Sequence, residues 1–160
     1  MSTTSATAAA ATLELKPEQQ AVLLEELEAL LASVTDRAAR APFIDLAAAV
    51  ADGGVGEAEA PTLEKLLEMC LQTGRVRRVY GPEAEQALLR LFHQTPHGAA
   101  AKRATEAVNQ ALRSLAGQTL EEILFTVQGP GVFKIGLSTD SCRLALEVNR
   151  HGVTVESLEV

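Results

Sequence analysis

The spacing of hydrophobic residues along the chain changes near Leu120, from a helical period of about 3.6 residues to the alternation typical of strands. Before this point, leucines and valines recur every three or four residues, in segments that glycine or proline ends. After it, four short stretches alternate apolar and polar residues and are separated by turn sequences. Helices first and strands after indicate an α+β protein without parallel crossovers.

Five helices are predicted in the first part of the chain. Asp36 is expected to cap a short turn before the second of them, and glycines end the second, third and fifth. The loop "DGGVGEAEAP" and the extended connector "RVRRVYGP" are expected to flank the third helix. The five helices are predicted to start at about Pro17, Pro42, Leu63, Pro82 and Ala99.

The last part of the chain predicts a four-stranded antiparallel meander with one polar and one apolar face. We expect the preceding helices, which carry matching apolar stripes, to pack on the apolar face. In the last strand Ser157 falls on the apolar phase and Leu158 on the polar one, which indicates a bulge or an end that docks elsewhere. The predicted apolar face comprises Ile123, Phe125, Val127, Phe133, Ile135, Leu137, Cys142, Leu144, Leu146, Val148, Val153 and Val155.

The organisation predicted from these patterns has three parts. Residues 1–12, which are Ser, Thr and Ala after Met1, are expected to form a disordered tail. Residues 13–117 are predicted as the helical region and residues 118–160 as the antiparallel sheet. We expect the helical region and the sheet to form one compact domain.

Composition and cysteine usage limit the class of protein. The 160 residues are 47% hydrophobic but only 3% aromatic, so the core must consist of Leu, Val, Ile and Ala. Cys70 and Cys142 are far apart, form no CxxC pair, and fall on the apolar sides of their elements, so each is predicted to be a small buried hydrophobe. Without a signal-like start or an apolar run of about 20 residues, the protein is expected to be soluble and cytoplasmic, away from the membrane.

The net charge of −7 is distributed unevenly along the chain. Residues 1–60 carry −7, residues 61–117 carry +3, and residues 118–160 carry −3. Only the middle segment could therefore face an anionic partner. Its basic residues suggest an alternative function, a regulatory module that binds nucleic acid or a phosphorylated ligand. The candidate contacts are Arg75, Arg77, Arg78, Lys102 and Arg103.

Histidines four apart, in "LFHQTPHG", would share a face on an uninterrupted helix and could then bind a metal. Pro96 lies between His93 and His97, and the residue before a proline is disfavoured in a helix, so the shared face is lost. No Ser/His/Asp arrangement, carboxylate dyad or phosphate-binding glycine loop is found. No catalytic residue, metal or cofactor is therefore assigned, and a small enzyme using either histidine is only a third alternative.

The surplus of apolar surface favours a non-enzymatic protein–protein interaction or adaptor module, with homodimerisation as one form of it. The first helix has apolar residues outside its main stripe, and the second is apolar around most of its girth. The last strand can be a sheet edge that pairs with another chain. The predicted interface residues are Val22, Leu24, Phe43, Ile44, Leu158 and Val160.

Overall fold

A computed structural model describes residues 13–160, so the predicted tail at 1–12 lies outside the described residues. These residues form six helices followed by a four-stranded antiparallel sheet at the C-terminal end, which confirms the predicted α+β class. The chain divides between Thr95 and Pro96 into two compact units, each described separately below. No helix within residues 13–160 combines the length and apolar character that crossing a membrane requires.

The first unit consists of five helices and a small two-stranded sheet. Leucines from α1, α2, α3 and α5 form its core together with Val50, Val55 and Val76. Cys70 belongs to this core, as its position on the apolar stripe predicted. The elements are β1 (Leu13–Glu14), α1 (Pro17–Ser33), α2 (Arg37–Ala51), β2 (Gly54–Val55), α3 (Ala60–Gln72), α4 (Arg75–Tyr80) and α5 (Pro82–Phe92).

Two adjacent glutamines connect α1 to its neighbours. The side chain of Gln19 accepts a hydrogen bond from the Lys16 backbone N–H at 2.9 Å and donates one to the carbonyl of Ala87 in α5, also at 2.9 Å. Gln20 donates to the carbonyls of Val50 and Ala51, where α2 ends. The bonds to Lys16, Val50 and Ala51 are made at helix ends, where backbone groups lack intrahelical partners. The bond to Ala87 joins α1 to the middle of α5.

The second helix begins five residues before the predicted start at Pro42. Asp36 accepts hydrogen bonds from the backbone N–H groups of Ala38 and Ala39, so it caps a continuous helix rather than a separate turn. Pro42 lies inside this helix, near its start. Pro42 has no N–H to donate to the carbonyl of Ala38, but this turn is exposed and water can bind that carbonyl. The helix therefore continues through Pro42.

Two further elements differ from the sequence-based prediction. "RVRRVYGP", predicted as an extended connector, forms the short helix α4, because Gly74 at φ 62° turns the chain and Val76 and Tyr80 pack on the core one turn apart. A helix this short depends on such packing, which propensity does not reveal. Likewise, the predicted loop after α2 contains β2, whose Val55 pairs with Leu13 of β1.

The second unit is one helix packed on the meander. The helix and strands are α6 (Pro96–Arg113), β3 (Leu120–Gly129), β4 (Val132–Thr139), β5 (Arg143–Asn149) and β6 (Gly152–Glu159). The strand order β3-β4-β5-β6 is antiparallel throughout, as predicted. β3 and β6 are therefore the two edges of this sheet.

The cross-strand register places the predicted apolar residues of the four strands on one face. Phe125 pairs with Ile135, Ile135 with Leu146, and Leu146 with Val155. An irregularity in β6 leaves Glu156 without a partner and places Leu158 opposite Leu144, so the predicted bulge is confirmed and brings Leu158 to the apolar face. Both cysteines are buried, including Cys142 before β5.

The predicted covering of this face is wrong for β3. In the second unit α6 packs along β6 and β5, where Val108, Ala111 and Leu115 contact a cluster that contains Leu144 and Leu146. The side chains of β3 on the same face are exposed: 62% for Ile123, 61% for Phe125 and 70% for Val127. The alternation of residues identified the face, but it carries no information on how far a covering helix extends.

Because α6 covers only part of this face, alanine substitutions at two positions on it should lower stability by different amounts. Leu144→Ala, beneath α6 at 2% exposure, should lower the free energy of local opening by about 2–5 kcal/mol because it leaves a cavity. Ile123→Ala should change it by less than about 1 kcal/mol. Amide hydrogen exchange of the sheet, at low protein concentration, measures both. Equal losses at the two positions would contradict the described burial.

Candidate functional site

The largest run of bare apolar side chains in the described residues lies on β3. We define the β3 patch as Leu120, Ile123, Phe125 and Val127, all on the apolar face. Leu120 reaches this face because Glu121 is an extra residue in β3, so that Leu120 pairs with Thr139 and Glu122 with Ser138. Because Leu120 is 47% exposed, the bulge adds little buried apolar surface within the unit.

Neighbouring side chains give the patch a defined shape and charge. The ring of Phe125 stacks on that of Phe133 in β4, with centroids 5.6 Å apart and planes at 27°. The adjacent residue, Leu124, is exposed on the opposite face, over the backbone of Gly136. The charged residues of β3 are two acids, Glu121 and Glu122, near its start. The patch itself is therefore apolar, and the two acids lie near the start of its strand, with Glu122 on the opposite face.

Sequence reasoning placed three of the four patch residues on the correct face but predicted them to be buried. It did not place Leu120, because the bulge at Glu121 changes the alternation. The available signal was geometric: a helix about 10 Å wide covers roughly two strands spaced 4.8 Å apart, and the unit has four. The sequence does not state which helices share a unit with the sheet, so this signal could not be used.

Most of the predicted interface residues of the first helices pack against the core of their unit. Val22, Leu24 and Phe43 are partly buried against it, while Ile44 is exposed. Between α1 and α2 there is an open groove of about 550 Å³. It is lined by Leu24, Leu27, Glu28, Leu31, Ala32, Arg40 and Ala47.

The predicted interface residues of the last strand are exposed at the edge of the sheet. Leu158 lines a groove between α6 and β6 with Ala107, Ala111 and Val155. Val160, the final residue, is almost fully exposed. Their assignment to an interface stays a prediction.

Arg75 of the predicted anion site is used inside the first unit. Its Nε donates to both carboxylate oxygens of Glu26, at 3.0 and 2.9 Å, and Glu26 is only 5% exposed. Tyr80 donates its hydroxyl to the same carboxylate at 3.0 Å, and the Cys70 thiol lies 3.6 Å from it. We call these four residues the Glu26 cluster. It satisfies a buried charge, which would be costly unpaired.

Three of the other four predicted anion contacts are also near acceptors. Arg77 lies 3.5 Å from the carboxylate of Glu85, and Arg78 donates to the Thr73 carbonyl at 3.4 Å. Lys102 lies 3.9 Å from Glu106 one helical turn away, and Arg103 is exposed. The residues fall in both units, so the geometry of one unit does not assemble them. Binding of nucleic acid or a phosphorylated ligand stays a prediction without further support.

His93 lies at the end of its helix as expected, whereas His97, predicted to lie before a helix that starts at about Ala99, is part of that helix because it begins at Pro96. His93 is the C-cap of α5, and His97 lies in the first turn of α6. The ring of His97 is 6.2 Å from that of His151 in the same unit. Within residues 13–160 no three His, Cys, Asp or Glu side chains are grouped closely enough to hold a metal ion.

Burial changes the acid–base behaviour of the Glu26 cluster. Burial first, then the nearby negative charge of Glu26 and its hydrogen bond, raise the pKa of the Cys70 thiol from 9.0 to about 12. Burial and hydrogen bonding to Glu26 also raise the pKa of Tyr80. A protonated, buried thiol is a poor nucleophile, so Cys70 has the character of a structural cysteine.

The Glu26 cluster predicts a specific stability loss. Glu26→Gln keeps the shape of the side chain but removes the charge that three donors share. We expect a loss of about 1–3 kcal/mol in the free energy of unfolding of the first unit. The matched control is Glu28→Gln, two residues along the same helix and exposed, which should change it by less than about 0.5 kcal/mol. Urea denaturation of both variants tests this; equal effects would contradict the contacts described.

The raised pKa of Cys70 predicts lower stability in alkali. The folded protein keeps the thiol proton up to about pH 12, whereas the unfolded thiol releases it near 9.0, so the folded state binds more protons in this window. Stability is therefore intact below about pH 9 and falls as the pH rises toward 12. Urea midpoints across this range should fall less steeply for Cys70→Ala than for the wild type. An unchanged slope would contradict the prediction.

In comparisons with known proteins, no protein-family model, no curated protein and no solved structure matches this chain. The residues and their geometry therefore carry the functional argument. The feature that they leave unexplained within the described part of the chain is the uncovered β3 patch.

Proposed function

We propose that the protein is a non-enzymatic interaction module that docks a protein partner through the β3 patch. The observation that carries the proposal is that Ile123, Phe125 and Val127 are more than half exposed on a face that is otherwise apolar and packed. Contiguous apolar surface of this kind commonly marks an interaction site. The proposal keeps the functional class inferred from the sequence and moves its principal surface from the first two helices and the last strand to β3, the opposite edge of the sheet.

The shape of the second unit supports this proposal. One helix covers about half of a four-stranded sheet, and α6 covers the half formed by β5 and β6. A second layer of similar thickness over β3 and β4 would complete the core. The stacked rings of Phe125 and Phe133 offer that layer a rigid aromatic anchor, which is common at the centre of protein interfaces.

The charges near the patch favour a protein over an anionic membrane. Surfaces that bind anionic lipid carry Lys and Arg beside the apolar residues. β3 has acidic residues at that position, Glu121 and Glu122, and no basic residue. The same acids disfavour a phosphate backbone at this edge.

The exposed position of Phe125 allows a direct test with a matched control. Phe125→Glu should abolish partner binding, because it buries a charge in an apolar contact. Leu124→Glu makes the same change at the adjacent residue, which is 54% exposed on the opposite face of the same strand. Quantitative mass spectrometry after affinity capture from the native host should find proteins retained by the wild type and by Leu124→Glu, but lost with Phe125→Glu.

The two variants differ only in the face that receives the charge, so general effects on folding or solubility should be similar in both. Thermal unfolding of the purified variants checks this. If the set of captured proteins is the same for Phe125→Glu as for the wild type, the β3 patch is not a docking surface and the proposal fails.

A further inference from the structure

Building on the proposed function, we infer that the partner at the β3 patch is a second copy of this chain, packed face to face on the uncovered half of the sheet. In each copy α6 covers β5 and β6, the apolar side chains of β4 are partly buried beside it, and those of β3 are exposed. In such a dimer, the β3 patch of each copy would pack on the β3 patch of the other. The result is a two-fold dimer in which both copies use the same surface, the commonest form of homo-oligomer.

The chemistry of the surface favours self-association. The β3 patch and Phe133 are apolar, and the acids at Glu121 and Glu122 lie at one end of the strand. Two such surfaces can meet without burying a charge against an apolar side chain. A partner recognised by charge would contact Glu121 and Glu122, whereas the patch residues themselves are all apolar.

The available area defines the strength of this contact. Four side chains that are about half to two-thirds exposed offer roughly 400–500 Å² of apolar surface per copy. Two copies would then bury on the order of 1,000 Å², which lies in the range of weak and reversible interfaces. A dimer that forms at high concentration and dissociates on dilution is therefore expected.

Only one orientation of the symmetry axis is compatible with the position of α6. An axis across the strands would keep β5 and β6 of both copies on the same side, and each α6 would then clash with the opposite sheet. An axis roughly parallel to the strands places α6 of each copy on the far side instead. Stacked sheets lie about 10 Å apart, close to the thickness of a helix, so the partner sheet fits in the same layer as α6.

This arrangement also protects the open edge of the sheet. With the axis parallel to the strands, α6 of the partner lies beside β3, at the level of the first copy's sheet. A long apolar edge strand otherwise tends to pair with other chains, and covering it with a helix is a recognised protection. β3 has ten residues, of which five are large and apolar, so this protection is needed.

Sedimentation velocity of the purified full-length chain, from about 1 μM to about 1 mM, tests the inference. The wild type should shift reversibly from monomer to dimer within this range. Phe125→Glu and Ile123→Glu should each weaken dimerisation by about 30-fold or more, the loss typical of a central interface residue. Leu124→Glu should leave the dissociation constant within about threefold of the wild type.

The outcomes separate face-to-face packing from its alternatives. If Leu124→Glu weakens the dimer as much as Phe125→Glu does, the copies pair edge to edge through β3, and the inference is wrong. A dimer that none of the three variants affects uses another surface and also overturns it. The use of two patch variants guards against a folding defect in either one, which circular dichroism would detect.

Failure of this inference can be distinguished from failure of the proposed function. A wild type that remains monomeric throughout, together with captured proteins that are lost only with Phe125→Glu, rejects the second copy and retains the docking surface. A monomeric wild type with no such captured proteins rejects both. A dimer sensitive to Phe125→Glu but not to Leu124→Glu supports both.

Discussion

The width of a helix relative to a sheet is the constraint on which the second unit depends. All four strands present apolar residues to one face, and the register aligns them in continuous rows from β3 to β6. A single helix covers about two strands, and α6 covers β5 and β6. Ile135 and Leu137 of β4 are partly buried against the same cluster, and the apolar side chains of β3 are exposed. The β3 patch is thus a direct consequence of one helix packing on four strands.

Two irregularities in the edge strands reinforce this view. The extra residue Glu156 in β6 turns Leu158 toward α6, and the extra residue Glu121 in β3 turns Leu120 to the same face. In β6 the result is useful at once, because Leu158 and Val155 line the groove beside α6. In β3 the bulge places Leu120 in the exposed β3 patch. Each edge strand therefore directs an additional leucine to the same apolar face.

The main constraint in the first unit is a buried charged group, the carboxylate of Glu26. Glu26 is buried by the packing of its helix, and Arg75, Tyr80 and Cys70 surround it with donors. Breaking such a cluster costs more than its formation gains, because a lone buried carboxylate has no compensation. The cluster joins α4 to α1 and explains why one residue of the basic segment points inward. The positive charge of that segment thus serves the fold in part.

The sequence by itself determined the class of the fold, the four antiparallel strands after Leu120, a break in the alternation at Ser157 and Leu158, and the burial of both cysteines. These follow from alternation and turn residues, which are local. It did not determine that α4 is a helix, that α2 passes through Pro42, or that Leu13 pairs with Val55. Those depend on contacts between distant segments. Only the tertiary structure decided which half of the apolar face is covered, because periodicity defines the direction of a side chain and not its neighbour.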